Sequence, residues 1–319
     1  MRSLLVLALV LAAVPAFAQI PEAAEPSTFR IYTADGAPAS FDSLTAAFVG
    51  ADVVFLGEQH NDPVAHALQL DLLRAATVGE RPVALSLEMF EQDVQLVLDE
   101  YLAGLIRERD FLAAARPWSN YDSDYRPLVE HARANGLPVL AANAPARYVR
   151  LVSQRGVGAL AQLPLRARAF LPTPVVPASE ALADKFLALM GSMMGHGGGS
   201  SADSSAASSH TAHGSGMPSL DGMLAAQNLR DVGMADAIAQ HRAAEPDALV
   251  LHVTGSFHSE GGLGIPEHLA RLRPDDRVLI VTMVPASALD AFDLEAHAGL
   301  GDFVVLTDAS LPRTYEAGF

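Results

Sequence analysis

In DVVFLGEQHNDPVAHALQ, residues 52–69, an apolar run ends in Glu58 and, two residues on, His60, with His66 following past Asn61, Asp62 and Pro63. Glu88 closes a second apolar run (PVALSLE), Asn143 a third (LPVLAAN), and His258 follows a fourth in TGSFH. Two imidazoles with one or two carboxylates can bind a divalent transition metal and leave a coordination position open for water. The same groups without a metal can act as general acid and base, because imidazole titrates near neutrality and a crowded carboxyl can be raised towards it. Residue type alone leaves both chemistries open, so Glu58, His60, Glu88 and His258 form the candidate catalytic or metal-binding set. Any one of them alone would more often be a loop residue or a satisfied buried polar group. Their recurrence at independent strand ends is what points to a site.

Such residues meet only if the runs that carry them lie side by side. The segments 52–57, 82–88, 137–143, 248–255, 277–284 and 303–308 have strand length, and their hydrophobicity is continuous rather than alternating, as in strands covered on both faces. Helical patterns separate them, at 63–76, 92–103, 127–135 and 220–242. The alternation predicts an α/β fold with a mostly parallel sheet covered by helices. Ligands in open α/β sheets bind beyond the carboxyl ends of the strands, where the polar residues fall. Gly57 and Gly255 suit a sharp turn or a close approach there. Asp62 is placed to cap the next helix, with Pro63 at its first position. His66, one turn in, can hydrogen-bond the cluster. Gln227, Asp231 and Met234 share one face of a later helix, and the first two can orient the imidazoles. Arg147, just past the third strand, can pair with an acidic group. His252, inside a strand, reads as a buried core residue.

The stretch 172–220 breaks this rhythm and is expected to be a helical insertion. SEALADKFLALMGSMM places Leu182, Phe186, Leu189 and Met193 at helical spacing, and residues 195–216 then hold 13 Gly or Ser in 22 positions. A tract so poor in apolar residues is expected to be a flexible loop. Met190, Met193, Met194, His196, His210, His213 and Met217 gather in and around it. Thioethers and imidazoles suit copper or haem iron, which makes His196, His210 and His213 a candidate second metal site. Core packing for the methionines and incidental loop histidines is the competing account.

The chain has 319 residues, half of them hydrophobic and 18% charged, with a formal charge of −16. That acidity argues against nucleic acid as a partner, since phosphate binding needs clustered Lys and Arg. The opening MRSLLVLALVLAAVPAFAQ has one Arg, a short apolar run and the small-x-small triplet Ala16-Phe17-Ala18, the layout of a cleaved secretory signal at 1–18. The expected mature chain, 19–319, is a single domain located in the periplasm, with no transmembrane segment. There is no Cys, which rules out disulfides, thiolate metal sites and an N-terminal lipid anchor on Cys.

FLGEQHNDPVAHALQ, LSLEMFEQDVQLVLDEYL, AANAPARYV, QNLRDVGMADAI and GSFHSEGGLGIPEHL, taken in order, resemble the ChaN-like haem-binding family. The resemblance runs from about Ala51 to Val284 and leaves out the Gly/Ser loop. It extends to a wider group sharing the GE-x-H and G-x-x-H elements, which includes erythromycin esterases and the Tiki metalloproteases. The family implies a bacterial envelope protein of haem or iron uptake that dimerises to hold haem. The wider group implies a hydrolytic or metal-binding pocket at Glu58, His60, Glu88 and His258. Expected cofactors are accordingly haem or a divalent transition metal, with His66, Asn143, Arg147, Gln227 and Asp231 in support. The family holds haem through tyrosine, and Tyr121 and Tyr125 of WSNYDSDY are the candidates, with packing beside Trp118 as the alternative. The chain departs from ChaN, which is lipid-anchored, in having no Cys to carry an anchor.

Overall fold

A computed structural model describes residues 27–195 and 218–315. The expected signal at 1–18 and the histidines His196, His210 and His213 lie outside the described residues. Along the chain the strands are β1 (Phe29–Thr33), β2 (Pro38–Ala39), β3 (Val53–Glu58), β4 (Val83–Glu91), β5 (Val139–Asn143), β6 (Leu249–Gly255), β7 (Val278–Ala286) and β8 (Phe303–Asp308). The helices are α1 (Phe41–Ala47), α2 (Pro63–Ala76), α3 (Gln95–Leu102), α4 (Glu108–Ala115), α5 (Arg126–Ala134) and α6 (Ala146–Arg155), followed by α7 (Leu165–Arg168), α8 (Glu180–Gly195), α9 (Leu220–Ala244), α10 (Ile265–Leu272) and α11 (Leu294–His297).

The strands form one sheet in the order β2-β1-β8-β7-β3-β6-β4-β5. The six from β8 to β5 run parallel, and β1 and β2 extend the β8 edge antiparallel. Each expected strand therefore forms. The β1–β2 pair adds an edge that the apolar runs do not announce, because FRIYT is short and only partly buried. Continuous hydrophobicity has its physical reason in the two cores. Val54, Leu56, Leu85, Leu251 and Val253 face the α2–α5 side, whereas Val53, Phe55, Ala84 and Val250 face α9 and α10. Since successive residues point to opposite faces, burying both faces requires apolar residues at every position.

Strand β6 follows β5 in the chain yet lies between β3 and β4. That insertion brings Gly255, at the end of β6, level with Glu58 at the end of β3. On its other side β4 pairs in register up to Leu87 with Val253. Against β5, the β4 register jumps between Leu87 and Glu91. Such an irregularity re-aims side chains, and Glu88 lies within it.

Candidate functional site

Two polar half-sites share the carboxyl end of the sheet, with His60 between them. The first is built around Glu58, a carboxylate only 1% exposed. Its Oε1 accepts the phenolic hydroxyl of Tyr125 at 2.6 Å and lies 3.0 Å from His60 Nδ1. Its Oε2 accepts Gln69 Nε2 at 2.6 Å and lies 3.1 Å from His66 Nδ1. His66 Nε2 sits 3.3 Å from Asp124 Oδ2 and 3.2 Å from the His60 carbonyl. Local sequence explains the arrangement. Asp62 accepts from Val64 N (3.0 Å) and Ala65 N (3.4 Å), starting α2 directly after the strand. His66 and Gln69, three apart on α2, then share the face that meets Glu58. Asp124 and Tyr125 come from a wide π-type turn, Tyr121–Tyr125, which aims both at the same carboxylate-imidazole pair.

The second half-site joins Glu88, His258 and Asp231. Glu88 Oε2 accepts Thr254 Oγ1 at 2.7 Å and Gly255 N at 2.9 Å, and Oε1 lies 3.6 Å from His258 Nε2. His258 Nδ1 is in a short contact with Asp231 Oδ1 from α9. Asn143 donates to the Glu88 carbonyl at 3.0 Å and accepts from Arg230 at 3.3 Å. His60 lies over Gly255, where a Cβ would meet its Nε2 at 2.8 Å. Gly255 therefore lets the imidazole lie close against the end of β6. The His60 side chain is 32% exposed, and Trp118 meets its ring edge-on at 4.8 Å.

Charge within the cluster is strongly correlated. Burial alone would push the Glu58 carboxyl up, but the imidazoles of His60 and His66 bring it below the usual value. For His66, burial opposes the cation, and Asp124 and Glu58 overcome it, raising the imidazole to about 10. Burial likewise opposes ionised Glu88, and His258 and His60, then Thr254 and Gly255, lower it to about 2. His60 and His258 are both raised against burial, the first by Glu58 and Glu88, the second by Asp231 and Glu88. The result is a network of ion pairs whose donor atoms face one another.

The structure brings some of the expected residues together and leaves others apart. Glu58, His60, Glu88 and His258 do assemble, yet among the described residues no three His, Asp or Glu side chains are arranged to hold a metal ion. His66, Asn143 and Asp231 join the cluster as direct partners. Arg147 does not: it pairs with Asp93 at 2.5 Å and stacks on Tyr148. Gln227 lines a separate cleft between α6, α8 and α9. Neither candidate tyrosine offers a free phenol. Tyr121 is packed among Phe90 and Phe111, 3% exposed, and Tyr125 is fully buried on Glu58. Met234 is core, and His252 is the expected buried residue, bonded to Ser86 at 2.8 Å. Sequence reasoning assigned no role to Gln69, Asp124 or Thr254, nor to Asn120, which donates to Asp124 Oδ2 at 2.7 Å. The His66–Gln69 spacing was a legible signal, whereas Asp124 is visible only once the wide turn is known.

A parallel α/β sheet with its polar residues gathered at the strand carboxyl ends defines the class. The family described as "Haem-binding uptake, Tiki superfamily, ChaN" matches residues 44–269, and the chain belongs to that family. Among solved structures, the chain is similar to one of cofacial haem binding to ChaN of Campylobacter jejuni. The TM-score is 0.60 at 17% identity, covering 88% of this chain and 97% of that one. At that identity the likeness shows the fold. A mutant of the erythromycin esterase EreC in its open conformation gives a TM-score of 0.46 at 13% identity, over 88% and 83% of the two chains. The Arabidopsis thaliana protein RETICULATA-RELATED 5, chloroplastic, is 25% identical over 281 residues. The alignment covers 83% of this chain, which spans only about a third (36%) of that relative.

Proposed function

We propose that this protein binds haem in the periplasm, as a homodimer, in the uptake or handling of haem or iron. The family match over 44–269 carries this reading. The export-type N-terminal sequence supports the location, and no helix among the described residues is long and apolar enough to cross a membrane. Bound haem would supply a redox-active iron centre and a strong Soret absorption.

The strand-end cluster does not fit as the iron ligand set. Glu58, Glu88, His66 and His258 are buried and bound to one another, Tyr121 and Tyr125 are enclosed, and only His60 reaches the surface. The cluster's part is to hold together the loops that end the strands. A hydrolase built on the same residues finds no favouring observation, since its bases are already ion-paired. Titration of the purified protein with hemin, followed by absorption and by native mass, tests the reading. A saturable Soret shift with a mass of two chains is expected. A linear, unsaturated spectrum identical to free hemin would overturn it.

A further inference from the structure

Helices α6, α8 and α9 enclose a cleft of about 360 Å³, within the range of about 300–1,000 Å³ usual for small-molecule sites. Its floor is apolar, with Val149 and Phe186 buried, and the thioethers of Met190 and Met223 in the lining. Arg150, Arg230 and Gln227 supply the polar groups, and no carboxylate lines it. That is a distinctive lining in a chain with 37 acidic against 21 basic residues. Among the other cavities described, none has two arginines. Among the described residues neither Arg150 nor Arg230 pairs with a carboxylate, and Arg230 is steadied by Asn143 at 3.3 Å.

The walls are firmly built. A Cβ on Gly222 of α9 would meet the Ser153 carbonyl of α6 at 2.2 Å, so glycine there lets the two helices close. Phe186 meets Phe257 at 6.4 Å, beside His258, which joins the cleft to the strand-end cluster.

We infer that this cleft seats the carboxylate-bearing edge of haem, its propionates held by Arg150 and Arg230. The inference rests on the haem-binding reading above and gives it a location. Guanidinium pairs carboxylates in a bidentate fashion, and the apolar floor, with the Met190 and Met223 side chains, suits the macrocycle. Gln227 is a further donor to the same edge.

Hemin, haem dimethyl ester and iron-free protoporphyrin IX are titrated against the full chain and against Arg150→Glu, Arg230→Gln and Arg147→Glu. Arg147, held by Asp93 outside the cleft, is the control. Each cleft variant is expected to weaken hemin and protoporphyrin about tenfold or more, as loss of a charged hydrogen bond does. Arg147→Glu should change neither, and the dimethyl ester should bind the unaltered chain weakly and respond little to any variant. Arg150 is exposed, so its substitution tests the cleft even if Arg230→Gln fails to fold. Tight hemin binding unchanged within twofold in Arg150→Glu and in folded Arg230→Gln would overturn the location and leave haem binding standing. No hemin binding by the unaltered chain would overturn both.

Discussion

At the scale of single residues, the pairing of His66 with Glu58 and Asp124 gives the protein a defined pH response. The His66 imidazole is raised from an ordinary 6.5 to about 10. A group whose folded pKa lies above its unfolded value contributes stability that is full below the unfolded value and is lost as pH rises through the folded one. The unfolding free energy should therefore decline between about pH 6.5 and pH 10, as denaturant titrations across that window would show. In Asp124→Asn the decline should shift to lower pH, and NMR of the imidazole should show its pKa falling. A flat profile in the unaltered protein would contradict the assignment. Gly255 offers a second test. Since a Cβ would meet His60 Nε2 at 2.8 Å, Gly255→Ala must displace the ring, at about 1–3 kcal/mol as for overpacking elsewhere. Unchanged stability with an unchanged Trp118 fluorescence spectrum would argue that the ring has room.

At the scale of elements, the junction between β3 and α2 is tied to β8 and to the segment that follows it. Asp62 caps α2, accepts Thr307 Oγ1 from β8 at 2.5 Å and lies 3.4 Å from Arg313. Thr314 donates to Asp124 at 2.8 Å, and Asn61 donates to the Tyr315 carbonyl at 3.1 Å. The segment after β8 thus laces the loop that carries His60. Asp62→Ala should cost about 1–3 kcal/mol, the sum of a lost cap and an unpaired buried hydroxyl. The expected sign is a lower denaturation midpoint at unchanged slope. Asp62→Asn, which can still cap, should cost less.

At the scale of the whole molecule, the topology divides labour. The sheet's carboxyl edge carries a closed, ion-paired cluster, while α6, α8 and α9 carry an open apolar cleft with cationic groups. His258→Ala should therefore lower stability, because it strands Asp231 and Glu88 as buried charges. Hemin affinity in the surviving folded fraction should stay within a few fold of the unaltered protein. Loss of hemin binding in a folded His258→Ala protein would move the haem seat to the strand ends.

The sequence by itself determined the six parallel strands and that their carboxyl ends lie on one side. Apolar runs at 52–57, 82–88 and 248–255 could be buried only between two helical layers, and parallel strands deliver their carboxyl ends to one side. Glu58, Glu88 and His258 were thereby brought together, and capping chemistry placed Asp62 at the start of α2. Tertiary structure decided what that meeting amounts to. Whether a carboxylate stays open for a ligand or is consumed by a neighbour depends on angles and distances that no spacing encodes. Tyr125 turning onto Glu58 and Asp124 onto His66 closed the site that the motifs suggested. Arg147 and Gln227 fell elsewhere for a related reason: a residue just past a strand, or on one helix face, can lean towards several neighbours, and packing selects among them.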